Sequence, residues 1–167
     1  DDDFNGEALW QYLLCEGAPF QLMASDVTSM HIRRLEAGIL DYGTDIDQSL
    51  NPFELGLGQF VDLSKDDFIG RRALLETDRR ATRVMGLRSH KVKPIRGDCL
   101  INEAGDSLGA ITAGAWSPSL DCGIGIIRLD RPIDPDVALR LRTETGDFQA
   151  ELCPLPFYDP QKRIPRL

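Results

Sequence analysis

The chain has no C-x-x-C pair among its four cysteines and only two histidines, so no spacing in it resembles a zinc site, and no metal is expected. It has no uninterrupted apolar run approaching the ~20 residues of a membrane span. No signal-peptide pattern precedes the acidic start, so a cytoplasmic location and no membrane partner are expected. It also lacks an excess of basic residues. A net charge of −8 leaves a surface that repels phosphates, which excludes a general nucleic-acid binder. Cys15, Cys99, Cys122 and Cys153 stand singly, and read as reduced, mostly buried thiols in a chain long enough not to need a staple.

What is present is ordinary globular composition, 42% apolar and 28% charged over 167 residues, enough for a real core. The organisation changes near residue 80. Residues 6–17 are a helix candidate, with Leu9 and Leu13, then Trp10 and Leu14, at i, i+4 spacing, and Gly17 and Pro19 supply the stop. Residues 30–40 allow a second short helix, whereas 41–58, rich in Gly, Asp, Asn and Pro, read as ordered loop. A third helix is expected from Phe68 to about Asp78, capped by Asp67, with arginines near its end suiting the dipole.

Beyond residue 81 the period becomes two. Val137, Leu139 and Leu141 alternate with polar neighbours, as do Phe148, Ala150 and Leu152, and TETGD between them reads as a hairpin loop. Residues 98–112 repeat the arrangement around NEAGD. Several short strands without intervening helices indicate an antiparallel barrel or sandwich. Charge is uneven as well. Residues 71–96 hold nine Lys or Arg against Glu76 and Asp78, a local excess of seven, leaving the rest of the chain at −15. Such a run serves either as a solvated face and strand edge or as a docking surface for an anionic tail or acidic partner.

RRLEAG at 33–38, DYGTDID at 41–47, NPFELGLG at 51–58 and DFIGRRALL at 67–75 follow one another closely. Together they resemble the RLEAG, YG, GLG and DFIGR segments of the glycine-cleavage T-protein family, tetrahydrofolate-dependent aminomethyltransferases. GAITAGAWSPSL at 109–120, CGIGIIRLD at 122–130 and PLPFYDP at 154–160 continue the likeness. Any one of these is weak; in this order they are strong. The resemblance implies an α+β fold: a partial mixed α/β remnant of a folate-binding domain at 1–80, then an antiparallel β-barrel at 81–167. It also implies tetrahydrofolate as cofactor, and a small methylated or aminomethyl donor. Family members run to about twice this length. The chain is therefore similar to their C-terminal half, with a missing N-terminal half as partner and no catalytic residue expected within it. Alone it is expected to be inactive.

One-carbon transfer to folate needs the acceptor nitrogen held at the donor carbon, and orientation alone can lower such a barrier by ~7–11 kcal/mol. Arg34 and Glu36 occupy the RLEAG positions and either close the domain as a partly buried salt bridge or line the folate cavity. Trp116 of GAWSP either stacks on the pterin or is core, and Tyr158 lies where it can reach the cofactor tail. His31 belongs to the residue type suited to proton transfer near neutral pH, and is either catalytic or a satisfied structural residue. Gly56 and Gly58 lack the context of a dinucleotide loop and read as turn residues. Where the T-proteins place an arginine shortly before RLEAG, this chain has Met30, which cannot hold a carboxylate. In that respect it is more similar to relatives acting on methylated donors: the folate domains of dimethylglycine and sarcosine dehydrogenases, and dimethylsulfoniopropionate demethylase. FYDP followed by Arg163 points the same way. Two alternatives remain open: an accessory folate domain of a flavin dehydrogenase, and a non-catalytic folate binder. The cysteine motif of the iron–sulfur-assembly relatives is replaced here by KDDFIGRR.

Overall fold

A computed structural model describes residues 5–77, 82–133, 138–161 and 163–164. The chain divides into two compact units, Asp1–Met30 and His31–Leu167. In the first, helix α1 spans Gly6–Gly17, with Asn5 as N-cap accepting from the Ala8 N–H at 3.0 Å. The i, i+4 stripe is helical as expected, but α1 has no buried residue, and Trp10 is 50% exposed. A 3-10 turn follows at Ala18–Phe20, and Gln21 takes the left-handed conformation that ends it. Helix α2, Val27–Glu36, starts at Asp26, whose carboxylate accepts from the Ser29 N–H at 2.9 Å, and runs into the second unit.

The second unit is a closed barrel of six antiparallel strands: β1 Val84–Ser89, β2 Cys99–Ile101, β3 Ser107–Ser117, β4 Cys122–Leu129, β5 Leu139–Thr143 and β6 Gly146–Cys153, in the order β1-β4-β3-β2-β5-β6. With the helices preceding it, this is the expected α+β architecture. Both expected hairpins form, β2–β3 around residues 102–106 and β5–β6 around 144–145. Among the described residues before β1 there are helices, turns and one isolated bridge, Tyr42 to Ile46, but no strand.

The barrel has two apolar layers. Leu87, Ile111, Ile127, Leu129 and Leu141 fill its interior, and Leu139 pairs with Ala150 at its wall. Leu152 packs on this interior and Phe148 is half-buried, so β5 and β6 turn their alternating apolar residues to one side. Val137 lies outside the described residues. The outer face of β3 and β4 carries Ala113, Ala115, Ile124 and Ile126, on which Leu35, Leu50 and Phe157 pack. Strand β4 is thus buried on both faces, which is why CGIGII is continuously apolar instead of alternating. An irregularity between Ile111 and Ala113 shifts the register, so Ile111 faces the interior and Ala113 the outer layer.

The helix expected from Phe68 is shorter than its sequence pattern: α3 spans only Arg71–Leu75. Asp67 does not cap it. Gly70 occupies the N-cap in the left-handed region, φ 89°, and breaks the helix before the preceding residues can join. Arg71 bonds back to the Leu63 carbonyl at 3.0 Å. Asp78, Arg79 and Arg80 lie outside the described residues. The cysteines are all free, and Cys15 is exposed, contrary to the expectation of mostly buried thiols.

Candidate functional site

The RLEAG segment is, first, a helix ending. The Gly38 N–H donates to the Leu35 carbonyl at 2.8 Å and the Ile39 N–H to the Arg34 carbonyl at 2.9 Å, the paired bonds of a Schellman C-cap. Gly38 has φ +65°, and a Cβ there would press on Leu155 and Pro156 at 3.0 Å, so glycine is required twice over. This turn aims Arg34 and Glu36 in different directions.

Arg34 Nη1 donates to the Ile39 carbonyl at 2.9 Å and to Asp45 Oδ2 at 2.8 Å. Asp45 is buried. It also accepts from the Asp41 N–H at 2.9 Å, and its Oδ1 accepts from Thr112 Oγ1 at 2.6 Å. The arginine therefore ties the loop after α2 to itself, and Thr112 ties that loop to β3. Arg34 keeps 21% of its side-chain surface exposed. Glu36, also buried, accepts from Ser117 Oγ at 2.5 Å, and that hydroxyl oxygen accepts in turn from the Leu120 N–H at 3.1 Å. The Glu36 carbonyl accepts from the Tyr158 N–H at 2.9 Å.

The structure thus brings Glu36, the end of β3 and Tyr158 together. Trp116 is next to Ser117, but successive strand residues point to opposite faces. Its half-buried ring shares the face of Gly114, away from the Glu36 carboxylate. Tyr158 is 43% exposed. His31 is half-buried and Met30 69% exposed. Gly56 takes φ +71° at a turn and Gly58 begins a 3-10 turn, matching their reading as turn residues. Sequence reasoning missed Asp45, Thr112 and Ser117. Each stands in a segment that the resemblance singles out, yet partners 67 and 81 residues apart leave no local signal.

The arrangement holds the helix-ending turn against the barrel wall, with Tyr158 partly exposed beside it. Among the described residues no group of His, Cys, Asp or Glu could hold a metal ion, and no helix is long and apolar enough to cross a membrane.

Residues 2–65 match the family model of the GCVT N-terminal domain, and residues 82–159 that of the glycine cleavage T-protein C-terminal barrel domain. These two models take in most of the chain in their natural order, and the chain belongs to the glycine cleavage T-protein family. It is 33% identical over 156 residues to an aminomethyltransferase of Halothermothrix orenii, covering 89% of this chain and 43% of that protein. It is 34% identical over 171 residues to one of Streptomyces avermitilis, with 96% and 45% covered. The fold resembles the crystal structure of the glycine cleavage system aminomethyltransferase T from Bartonella henselae. The TM-score is 0.75 at 24% identity, covering 92% of this chain and 44% of that one. The chain spans less than half the length of these relatives.

Proposed function

We propose that this chain is the C-terminal portion of a tetrahydrofolate-dependent one-carbon transferase that moves an aminomethyl or methyl unit from a small donor to folate. The observation that carries this reading is the ordered match of both halves to successive domains of one aminomethyltransferase family. In this reading residues 1–80 complete a folate-binding domain and 81–167 form the barrel domain beside it. The group acting on the transfer lies in the remaining part of the enzyme.

The residues present fit a reduced folate in kind. A pterin needs an aromatic surface and a polar rim, and its tail needs a cation. Tyr158 and Trp116 are partly exposed, and the Arg34 side chain keeps 21% of its surface exposed beside its internal bonds. Glu36, held by Ser117, fixes the backbone that carries Tyr158. When bound, tetrahydrofolate supplies the nitrogen that accepts the one-carbon unit. The chain's own part is orientation: Arg34 sets the loop 39–46 through Asp45, and Glu36 sets the C-terminal segment. Met30, in place of the arginine of the T-protein pattern, favours a methylated amine, thioether or ether as donor over an aminomethyl group on a carrier.

The test is tetrahydrofolate titration of the intact protein, followed by tryptophan fluorescence, in wild type and Trp116→Phe. Binding with a signal lost in Trp116→Phe supports the reading. Failure to bind at millimolar folate overturns the cofactor and leaves a non-catalytic member of the family. Turnover with an aminomethyl carrier in place of a methylated donor would overturn the donor assignment alone.

A further inference from the structure

The basic run at 71–96 sorts into two groups. Arg71, Arg72, Arg83 and Arg88 are used internally, on the Leu63 carbonyl, Glu76, Glu54 and the Phe157 carbonyl respectively. Lys91, Lys93 and Arg96, in the loop between β1 and β2, are exposed and have no ion-pair partner among the described residues. They stand on a firm base. Val92 packs on the barrel interior, and Pro94 is fully buried. The floor beneath them is glycine of necessity, since a Cβ at Gly123 would collide with the Val92 carbonyl and one at Gly114 with that of Pro94. The far end is pinned as well. Buried Asp98 accepts from the Ile95 N–H at 2.9 Å, and the Gly97 N–H donates to the Ile111 carbonyl at 2.9 Å.

With Val92 and Pro94 turned inward, Lys91, Lys93 and Ile95 stand outward at alternate positions, roughly 6.5–7 Å apart as in an extended strand. We propose that this loop is a docking strand for an acidic protein segment: extended, with carboxylates at alternating positions to meet Lys91 and Lys93 and an apolar side chain to cover Ile95. Charge complementarity carries the choice. Three cations within six residues, without an ion-pair partner among the described residues and on a preorganised backbone, concentrate positive charge in a chain of net charge −8, which steers an acidic partner to this loop and orients it there. A nucleic acid, charged at every residue, would run past these three cations onto the negative remainder, whereas a short acidic segment ends within the loop. A second copy meeting across a twofold axis would set the basic loop against itself. This inference does not depend on the folate reading.

The experiment is fluorescence anisotropy of a labelled peptide with glutamate at alternate positions followed by leucine, titrated with the full chain at low and high salt. Binding is expected at low salt, weakened by salt, absent with the glutamine version of the peptide, and reduced at least about tenfold by Lys91→Glu with Lys93→Glu. Lys91→Gln with Lys93→Gln, checked by thermal melting for an unchanged fold, should give a smaller loss in the same direction. No binding of the glutamate peptide overturns the proposal. So does binding that the charge reversal leaves unchanged, equal binding of a single-stranded oligonucleotide, or self-association abolished by the same variant.

Discussion

Arg34 and Asp45 meet at 2.8 Å, the Asp45 side chain wholly buried and the Arg34 side chain largely so. Because Thr112 and the Asp41 N–H also donate to this carboxylate, one buried charge organises the end of α2, the following loop and β3. Removing one partner strands the other. Arg34→Ala is expected to lose about 3 kcal/mol of stability, and Asp45→Ala a similar amount, with the double variant less than additive. Urea unfolding of the three variants measures this; additive losses would mean that the two side chains act independently.

Ser117→Ala removes the hydroxyl that Glu36 Oε1 accepts from, in a buried setting where water does not replace it. A loss of about 1–3 kcal/mol is expected. Glu36→Gln in the same background should recover part of it, because an uncharged amide is less costly to bury unpaired. Denaturant midpoints of the single and double variants decide the point.

Gly38→Ala tests the helix ending. The left-handed φ and the approach of Leu155 and Pro156 act together, and about 1–2 kcal/mol or more should be lost. By contrast Gly43→Ala, with φ +88° and open space around it, should show only the backbone cost.

The thiols should separate by reactivity. Cys15 is exposed and should be alkylated first. Burial pushes the Cys153 thiol up to about 11, partly offset by the neighbouring Arg88 guanidinium, and burial raises Cys122 as well. Folding therefore holds the proton on Cys153 past the ordinary thiol value near 9. Its contribution is intact below that value, and stability falls as the pH rises from there towards 11, on the order of 1–2 kcal/mol. Comparing the pH slopes of unfolding for wild type and Cys153→Ala isolates it; identical slopes would refute the assignment.

Much of the barrel was legible because its cause is local. Leu139 and Leu141 alternate with arginines since one face of β5 meets the interior and the other meets water, and Gly146 ends a turn that TETGD already announced. Strand β4 was recognisable only through its family resemblance. Burial on both faces erases alternation, and a continuous apolar run does not distinguish strand from helix. The third helix was overestimated at its start: Phe68 and Ile69 favour helix, but Gly70 in the left-handed region keeps them out of it, and α3 runs only from Arg71 to Leu75.

The candidate site divides in the same way. The sequence by itself placed RLEAG on a short helix at 30–40; the structure ends that helix at Glu36, in a glycine turn made by backbone bonds within six residues. The sequence also determined that the chain's positive charge gathers at 71–96. Only the tertiary structure decided which of those cations are neutralised and which stand free on the β1–β2 loop. It alone decided that Arg34 turns to Asp45, that Glu36 turns to Ser117, and that Trp116 lies on the other face of β3 from that carboxylate. Asp45 is held to Thr112 across 67 residues and Glu36 to Ser117 across 81, so these partners, and the face on which Trp116 lies, follow from the register of β3, which no local pattern announces.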